Sequence, residues 1–76
     1  MLLKKIRLSK KLTQKEVAEK IGLQIRQYQY VESGQSFLSQ EKMNKLEDLF
    51  QLPQRVLFSD SKENIPDIYK EFVSEL

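Results

Sequence analysis

The side chains best suited to specific recognition lie in a short segment that follows Gly22. Its polar face carries three carboxamides and one guanidinium, from Gln24, Arg26, Gln27 and Gln29. Such groups form directional hydrogen bonds, and an arginine fork can engage two acceptors at once. In a chain of 76 residues most apolar side chains are needed for a small core, so the functional residues must be polar and exposed.

Few residue types that support catalysis or metal binding occur in the sequence. The chain has no cysteine and no histidine, which removes disulfides, thiolate and imidazole ligands, cysteine nucleophiles and histidine bases. It also lacks a nucleophile–base pair, a cluster of metal ligands and a phosphate-binding glycine loop. We therefore expect no enzyme, no catalytic residue, no metal, no cofactor and no small-molecule substrate.

Charge is unevenly distributed, although the net charge is only +2. The segment from Met1 to Phe58 has 11 basic and 6 acidic residues, a net charge of +5, whereas residues 59–76 have 2 and 5, a net charge of −3. The basic part could hold phosphates by releasing their counterions. A solvated surface that happens to be basic explains the same distribution equally well.

The sequence carries no signal for insertion into a membrane. No apolar run approaches the roughly 20 residues that span a bilayer. The segment from Met1 to Lys5 is too short for a signal peptide. We therefore expect a cytoplasmic protein with no membrane partner.

Nearly the whole chain is predicted to be helical. It has only two glycines and two prolines, and its apolar residues recur at spacings of three and four. Thr13 and Glu16 form a capping-box pattern that starts the second helix, and Gly22 ends that helix. The predicted helices are Leu2–Lys11, one from Gln14 to the glycine turn, Gln24–Glu32, Gln40–Phe50, a short one beginning near Pro53, and Ile65–Leu76.

A tight two-helix corner is predicted between Gln14 and Ser33. Such a corner needs a small residue where the helices touch and a glycine in the turn. Ala18 and Gly22 supply these two features. The side chains that pin the corner to the core are Val17, Ile21, Leu23 and Val31, with Tyr28 as an unusual filler.

This pattern resembles the phage repressor and Cro-like (Cro/C1-type) helix-turn-helix family. The likeness spans Leu3 to Phe58, and beyond the corner it includes Leu12–Gln14, Val31–Gly34 and Leu46–Phe58. It implies an all-α fold in which residues 1–58 form a compact five-helix lambda repressor-like domain with a central helix-turn-helix. A polar linker at residues 59–64 and a C-terminal amphipathic helix at residues 65–76 complete the expected organisation.

The resemblance also implies which residues contact DNA. The base-reading positions of the family correspond here to Gln24, Ile25, Arg26 and Tyr30, with Gln27 and Gln29 nearby. Arg26 could pair with guanine, Gln24 or Gln27 with adenine, and Ile25 with a thymine methyl group.

Further family positions imply contacts to phosphate and one structural pair. The phosphate-binding positions correspond to Thr13, Gln14, Ser33 and Gln35, and Gln14 is aided by the N-terminus of its helix. A family arginine–glutamate pair corresponds to Arg7 and Glu32, for which we expect a structural role.

The chain departs from the family pattern after Gly34. Where basic residues often contact phosphate, this sequence has Gln35, Ser36 and Phe37, which lowers the expected nonspecific affinity. Phe37 could anchor the loop in the core, contact a sugar or belong to a partner surface, and we favour a core or dimer contact.

The apolar residues of the predicted C-terminal helix form a stripe along one face. This stripe is too apolar to lie in water, so it must cover the same domain or a second subunit. The acidic face with Asp67, Glu71 and Glu75 would be repelled by phosphates. We favour a dimer contact formed by Ile65, Ile68, Tyr69, Phe72, Val73 and Leu76.

Taken together, these features predict a transcriptional regulator that acts as a homodimeric repressor on a palindromic double-stranded DNA operator. The alternative is a protein-interaction module, such as an antitoxin or a controller that docks on polymerase.

Overall fold

Six α-helices and one 3-10 helix follow one another in the computed structural model, which describes residues 1–74 and 76, with only the backbone of Asn64. No strand occurs in these described residues. The helices are α1 Leu3–Ser9, α2 Gln14–Ile21, α3 Ile25–Glu32, α4 Gln40–Phe50, α5 Gln54–Leu57, the 3-10 helix Lys62–Asn64, and α6 Asp67–Val73.

Local capping interactions set the starts of α2 and α4. The backbone N–H of Glu16 donates to Thr13 Oγ1 at 3.0 Å, and the N–H of Thr13 donates to Glu16 Oε1 at 3.0 Å. The predicted capping box is therefore confirmed. At α4 the N–H of Lys42 donates to Ser39 Oγ at 3.3 Å, so serine is the cap.

Left-handed backbone conformations lie at or just after the ends of four helices, and the one after α3 is Gly34 with φ +83°. Gly22 has φ +79° at the end of α2, where glycine avoids the Cβ penalty of this conformation. Gln51 has φ +56° after α4, and Lys11 has φ 58° two residues after α1. The conformation of Lys11 explains why α1 ends at Ser9 rather than at the predicted Lys11.

One hydrophobic core joins all parts of the chain. It contains residues from the predicted apolar faces of α1 to α5 together with two residues from the C-terminal segment. The buried apolar residues are Leu2, Leu3, Ile6, Val17, Ala18, Ile21, Tyr28, Val31, Leu46, Phe50, Leu52, Val56, Leu57, Ile65 and Val73. Arg7 is also buried.

The C-terminal segment divides its predicted apolar stripe between core and solvent. Ile65 and Val73 are buried in the core, and Tyr69 and Leu76 pack against it. Ile68 and Phe72 point outward and are 73% and 66% exposed.

The helix in this segment is shorter than predicted. Ile65 has an extended backbone and Pro66 caps α6. A proline disfavours helical geometry in the residue before it, so the helix cannot include Ile65. The predicted linker contains the 3-10 helix, and the N–H of Leu2 donates to the carbonyl of Ser59 at 2.9 Å. Glu75, part of the predicted acidic face, lies outside the described residues. Among the helices described, none is long and apolar enough to cross a membrane.

Candidate nucleic-acid interface

The corner between α2 and α3 rests on closely packed side chains. Ala18 is buried between the helices, and Tyr28 and Val31 hold the inner face of α3 in the core. A Cβ added at Gly22 would lie 2.8 Å from Lys42 Nζ, so the turn is also close to α4. The packing leaves the opposite face of α3 in solvent.

The five residues predicted to read bases are all exposed at the start and along the outer face of α3. They are Gln24, Ile25, Arg26, Gln27 and Tyr30. Gln24 is the residue before α3 rather than its first residue, and its extended conformation starts the helix. Ile25 and Tyr30 are large apolar residues that are 44% and 45% exposed.

One of these side chains also supports the helix start. Gln27 Oε1 accepts a hydrogen bond from the backbone N–H of Gln24 at 3.3 Å. The carbonyl oxygen of Gln27 is thus engaged, while its NH₂ group remains a donor. Pairing with adenine requires one donor and one acceptor from the same carboxamide, and the Gln27 oxygen keeps a second lone pair after this bond, so both Gln24 and Gln27 can fill that role.

The predicted phosphate-binding residues form two pairs, one at the start of α2 and one after the end of α3. Thr13 and Gln14 lie at the start of α2, where the hydroxyl oxygen of Thr13 serves the capping box. Ser33 and Gln35 follow α3. Ser33 Oγ donates to the carbonyl of Tyr30 at 3.0 Å, so this hydroxyl hydrogen already has an acceptor, whereas the Gln35 side chain is exposed.

Arg7 and Glu32 form a buried ion pair beneath the interface. Arg7 Nε donates to Glu32 Oε2 and Arg7 Nη2 donates to Glu32 Oε1, both at 3.0 Å. Arg7 Nη1 donates to the carbonyl of Leu12 at 2.8 Å. The two side chains are only 7% and 3% exposed, so this arginine joins α1, the loop before α2, and the end of α3.

The environment of this pair shifts three pKa values, and the hydrogen bonds to Glu32 raise the pKa of Arg7. Burial opposes ionisation of Glu32, but the hydrogen bonds and charge of Arg7 outweigh it and lower the pKa of Glu32. Burial, reinforced by the Glu32 carboxylate, raises the pKa of Tyr28 far above its usual range. Because its pKa is raised, Tyr28 stays neutral beside the ion pair. Its buried hydroxyl has no hydrogen-bond partner among the described residues.

Gln14 and Gln29 extend the polar network from this pair to the surface. Gln14 Nε2 donates to Glu32 Oε1 at 3.4 Å, and Gln29 Nε2 donates to Gln14 Oε1 at 3.1 Å. Sequence reasoning placed Gln29 near the base-reading residues without giving it a role. Gln29 lies three residues before Glu32, so both side chains lie on one side of α3. This spacing is the feature of the sequence that could have indicated a role for Gln29 in the network.

Phe37 lies in the loop between α3 and α4. Its side chain is 94% exposed, so the expectation that it anchors the loop in the core is wrong. The ring borders an open groove with Met1, Leu38, Met43 and Phe58. The core beneath the loop is closed by other residues, which leaves this aromatic side chain unburied.

Comparison with known proteins assigns the family. Residues 3–53, about two thirds of the chain, match the family model described as helix-turn-helix. Neither the curated proteins nor the solved structures compared with the chain gave a match. The matched segment contains the corner, the exposed face of α3 and the Arg7–Glu32 pair, and the chain therefore belongs to the lambda repressor-like helix-turn-helix family of DNA-binding domains.

Proposed function

We propose that the protein is a transcriptional repressor that binds a palindromic DNA operator in the cytoplasm as a homodimer, with α3 in the major groove. The observation that carries the proposal is the exposed face of α3, whose guanidinium, carboxamides and apolar side chains match the donors, acceptors and methyl groups of base edges. The buried contacts of Tyr28, Val31 and Glu32 hold that face rigidly. Rigid support is what directional recognition requires.

Within this proposal each side chain has a distinct task. Arg26 pairs with guanine and Gln24 or Gln27 pairs with adenine. Ile25 and Tyr30 supply apolar contacts in the groove. Gln14 and Thr13 bind a phosphate at the start of α2, where the helix N-terminus favours an anion. Gln35 and Ser33 are assigned to the phosphate on the other side of α3. We expect Gln35 to contribute more, because the hydroxyl hydrogen of Ser33 already binds the carbonyl of Tyr30.

Selection of bound duplexes from a random pool tests the proposal. The wild-type protein should enrich a motif with two-fold symmetry. Arg26→Ala should weaken binding by about 1–3 kcal/mol and relax the preference at one base pair of each half-site. Arg55→Ala is the matched control, because it removes the same charge from an exposed residue of α5. An unchanged motif for Arg26→Ala would remove this residue from the reading set.

The dimer contact is assigned to the C-terminal segment. Of its six predicted contact residues, the proposal now rests on Ile68 and Phe72, because these are large apolar side chains left in solvent. Asp67 and Glu71 beside them are acidic and keep this surface away from phosphates. The molecule measures 33 × 23 × 20 Å, so two copies side by side can present their α3 helices one DNA turn apart, about 34 Å.

Exposed residues allow a test that leaves the core intact. Truncation after Ser61 would remove Ile65 and Val73 from the core, so substitution of Ile68 and Phe72 by serine is the sharper experiment. Sedimentation should show a folded monomer, and operator titration should show that this monomer binds a half-site weakly. Phe37→Ser is the matched control at a second exposed apolar position. A dimer lost only in Phe37→Ser would move the contact to the loop between α3 and α4.

An interaction module remains the second candidate, favoured by the loop after α3. Gln35, Ser36 and Phe37 provide no positive charge, and Phe37 presents an apolar ring to solvent. Such a surface suits a protein partner better than a phosphate backbone. Failure of the wild-type protein to enrich any motif from the random pool would favour this function over operator binding.

A further inference from the structure

A continuous chain of hydrogen bonds connects the core to the surface at the start of α2. Arg7 donates twice to Glu32, Gln14 Nε2 donates to Glu32, and Gln29 Nε2 donates to Gln14 Oε1. Arg7 and Glu32 are almost fully buried, Gln14 is half-buried and Gln29 is exposed. This series of hydrogen bonds therefore runs from the interior to the α2–α3 surface in three steps.

The chemistry of each group determines the orientation of the next. A guanidinium only donates and an ionised carboxylate only accepts. Glu32 therefore requires the NH₂ end of the Gln14 carboxamide, which leaves the oxygen of Gln14 facing Gln29. Gln29 must in turn present its own NH₂ end to that oxygen. An isolated carboxamide has no such preference between its two ends.

This orientation leaves a specific pattern at the surface. Each carboxamide NH₂ has two hydrogens, and one from Gln14 and one from Gln29 are used in these bonds. The second hydrogen of each remains to donate. A phosphate oxygen accepts hydrogen bonds and cannot donate them, so this pair of donors matches it.

We propose that Gln29 is a positioning residue that holds the Gln14 carboxamide with its second N–H directed at a DNA phosphate oxygen. The inference rests on the proposed function, in which Gln14 binds phosphate. Gln29 lies on the side of α3 that faces α2, as its bond to Gln14 requires. Its effect on DNA therefore passes through Gln14 and does not depend on base sequence.

The first measurement uses the free protein. The side-chain NH₂ resonances of Gln14 are compared in the wild type, in Gln29→Ala and in Gln54→Ala. Gln54→Ala is the matched control, a glutamine on α5 that is exposed. Gln29→Ala should shift the Gln14 resonances and speed the exchange of their hydrogens, whereas the control should not. Unchanged Gln14 resonances in Gln29→Ala would overturn the inference without any reference to DNA.

The second measurement is a double-mutant cycle on a duplex that carries the sequence preferred by the wild-type protein. Gln14→Ala and Gln29→Ala should each weaken binding about three- to ten-fold, the range for one neutral hydrogen bond. The double variant should bind no more weakly than Gln14→Ala, since Gln29 acts through Gln14. Additive losses would overturn the inference, because they would mean that Gln29 contacts DNA by itself.

A modified duplex separates positioning from a general effect on the fold. Methylphosphonate substitution, one phosphate at a time, should identify a phosphate whose replacement weakens the wild-type protein but not Gln14→Ala. Gln29→Ala should lose most of its sensitivity at that same phosphate and keep the wild-type base preference. A loss of sensitivity at every phosphate would indicate a merely structural role.

The two hypotheses fail in different ways. If Gln14→Ala weakens binding and Gln29→Ala does not, the positioning role is refuted while the phosphate contact stands. If neither variant weakens binding although Gln29→Ala shifts the Gln14 resonances, the coupling exists but the phosphate contact of the proposed function is refuted, and the inference falls with it.

Discussion

Replacing Arg7 by methionine tests how strongly the buried ion pair holds the fold together. Methionine has an unbranched apolar side chain that replaces the aliphatic stem of arginine, so the substitution removes the guanidinium and its charge while the stem is retained. It leaves the Glu32 carboxylate, which is 3% exposed, without its counter-charge. It also removes the donor that binds the carbonyl of Leu12 at 2.8 Å.

The expected loss is large for a protein of this size. Removing one partner of a buried pair costs about 3–5 kcal/mol, because the other charge stays buried and uncompensated. A domain of this length has a total free energy of unfolding of about 4–11 kcal/mol, taking about 0.05–0.15 kcal/mol per residue. Arg7→Met should therefore remove about a quarter or more of the stability in urea unfolding at neutral pH.

The pH dependence has a defined sign. In the wild type the pKa of Glu32 is lowered, so its contribution is present above the unfolded-state pKa and is lost as the pH falls through the folded-state pKa. In Arg7→Met the guanidinium no longer offsets burial and only the longer bond from Gln14 remains, so the pKa of Glu32 rises above its wild-type value. The destabilisation should then be relieved as the pH falls from 7 towards 4, and the gap to the wild type should narrow.

Urea unfolding at several pH values measures both effects, and a second variant isolates their cause. Arg7→Met combined with Glu32→Leu removes both charges and should recover about half of the loss or more, since paired replacement of buried ions is often neutral. The reasoning fails if Arg7→Met lowers the free energy of unfolding by less than about 1 kcal/mol, the value of an exposed pair. Parallel pH curves for wild type and variant would refute it as well.

Three smaller changes test the corner. Gly22→Ala should cost about 1–2 kcal/mol in thermal unfolding, since φ is +79° and alanine pays the left-handed penalty; an unchanged midpoint would contradict this. Ala18→Leu should cost about 1–3 kcal/mol by overpacking, and a fully stable variant with weakened DNA binding would show that the helices are not in tight contact. Thr13→Ala should lower urea stability by about 1 kcal/mol through loss of the cap, whereas Thr13→Ser should retain it.

Local signals in the sequence predicted the elements that they control directly. The capping pair of Thr13 and Glu16 starts α2 at Gln14, and Ser39 starts α4 at Gln40. These predictions succeeded because the interacting groups are three residues apart and need no tertiary contact. The Arg7–Glu32 pair lies 25 residues apart, and only the family resemblance indicated it.

The orientation of the C-terminal segment could not be read from its pattern. Apolar residues at spacings of three and four define a wide stripe, and both halves of it satisfy the helical period. Tertiary packing buries Ile65 and Val73 in the core and leaves Ile68 and Phe72 in solvent. The exposure of Phe37 was missed for the same reason, because the space available beneath a loop depends on residues far away in the sequence.

Glu32 connects the stability of the fold to the proposed recognition surface. Its carboxylate binds Arg7 and also accepts from Gln14, so the group that neutralises a buried arginine is the group that orients a surface carboxamide. Phosphate contacts set the register in which a recognition helix enters the groove. A change at Glu32 therefore alters the core and the DNA contact together, whereas a change at Gln29 affects only the exposed end of the network. If the proposed phosphate contact holds, Gln29, rather than the buried pair, is the position at which we expect a substitution to change binding and leave the fold intact.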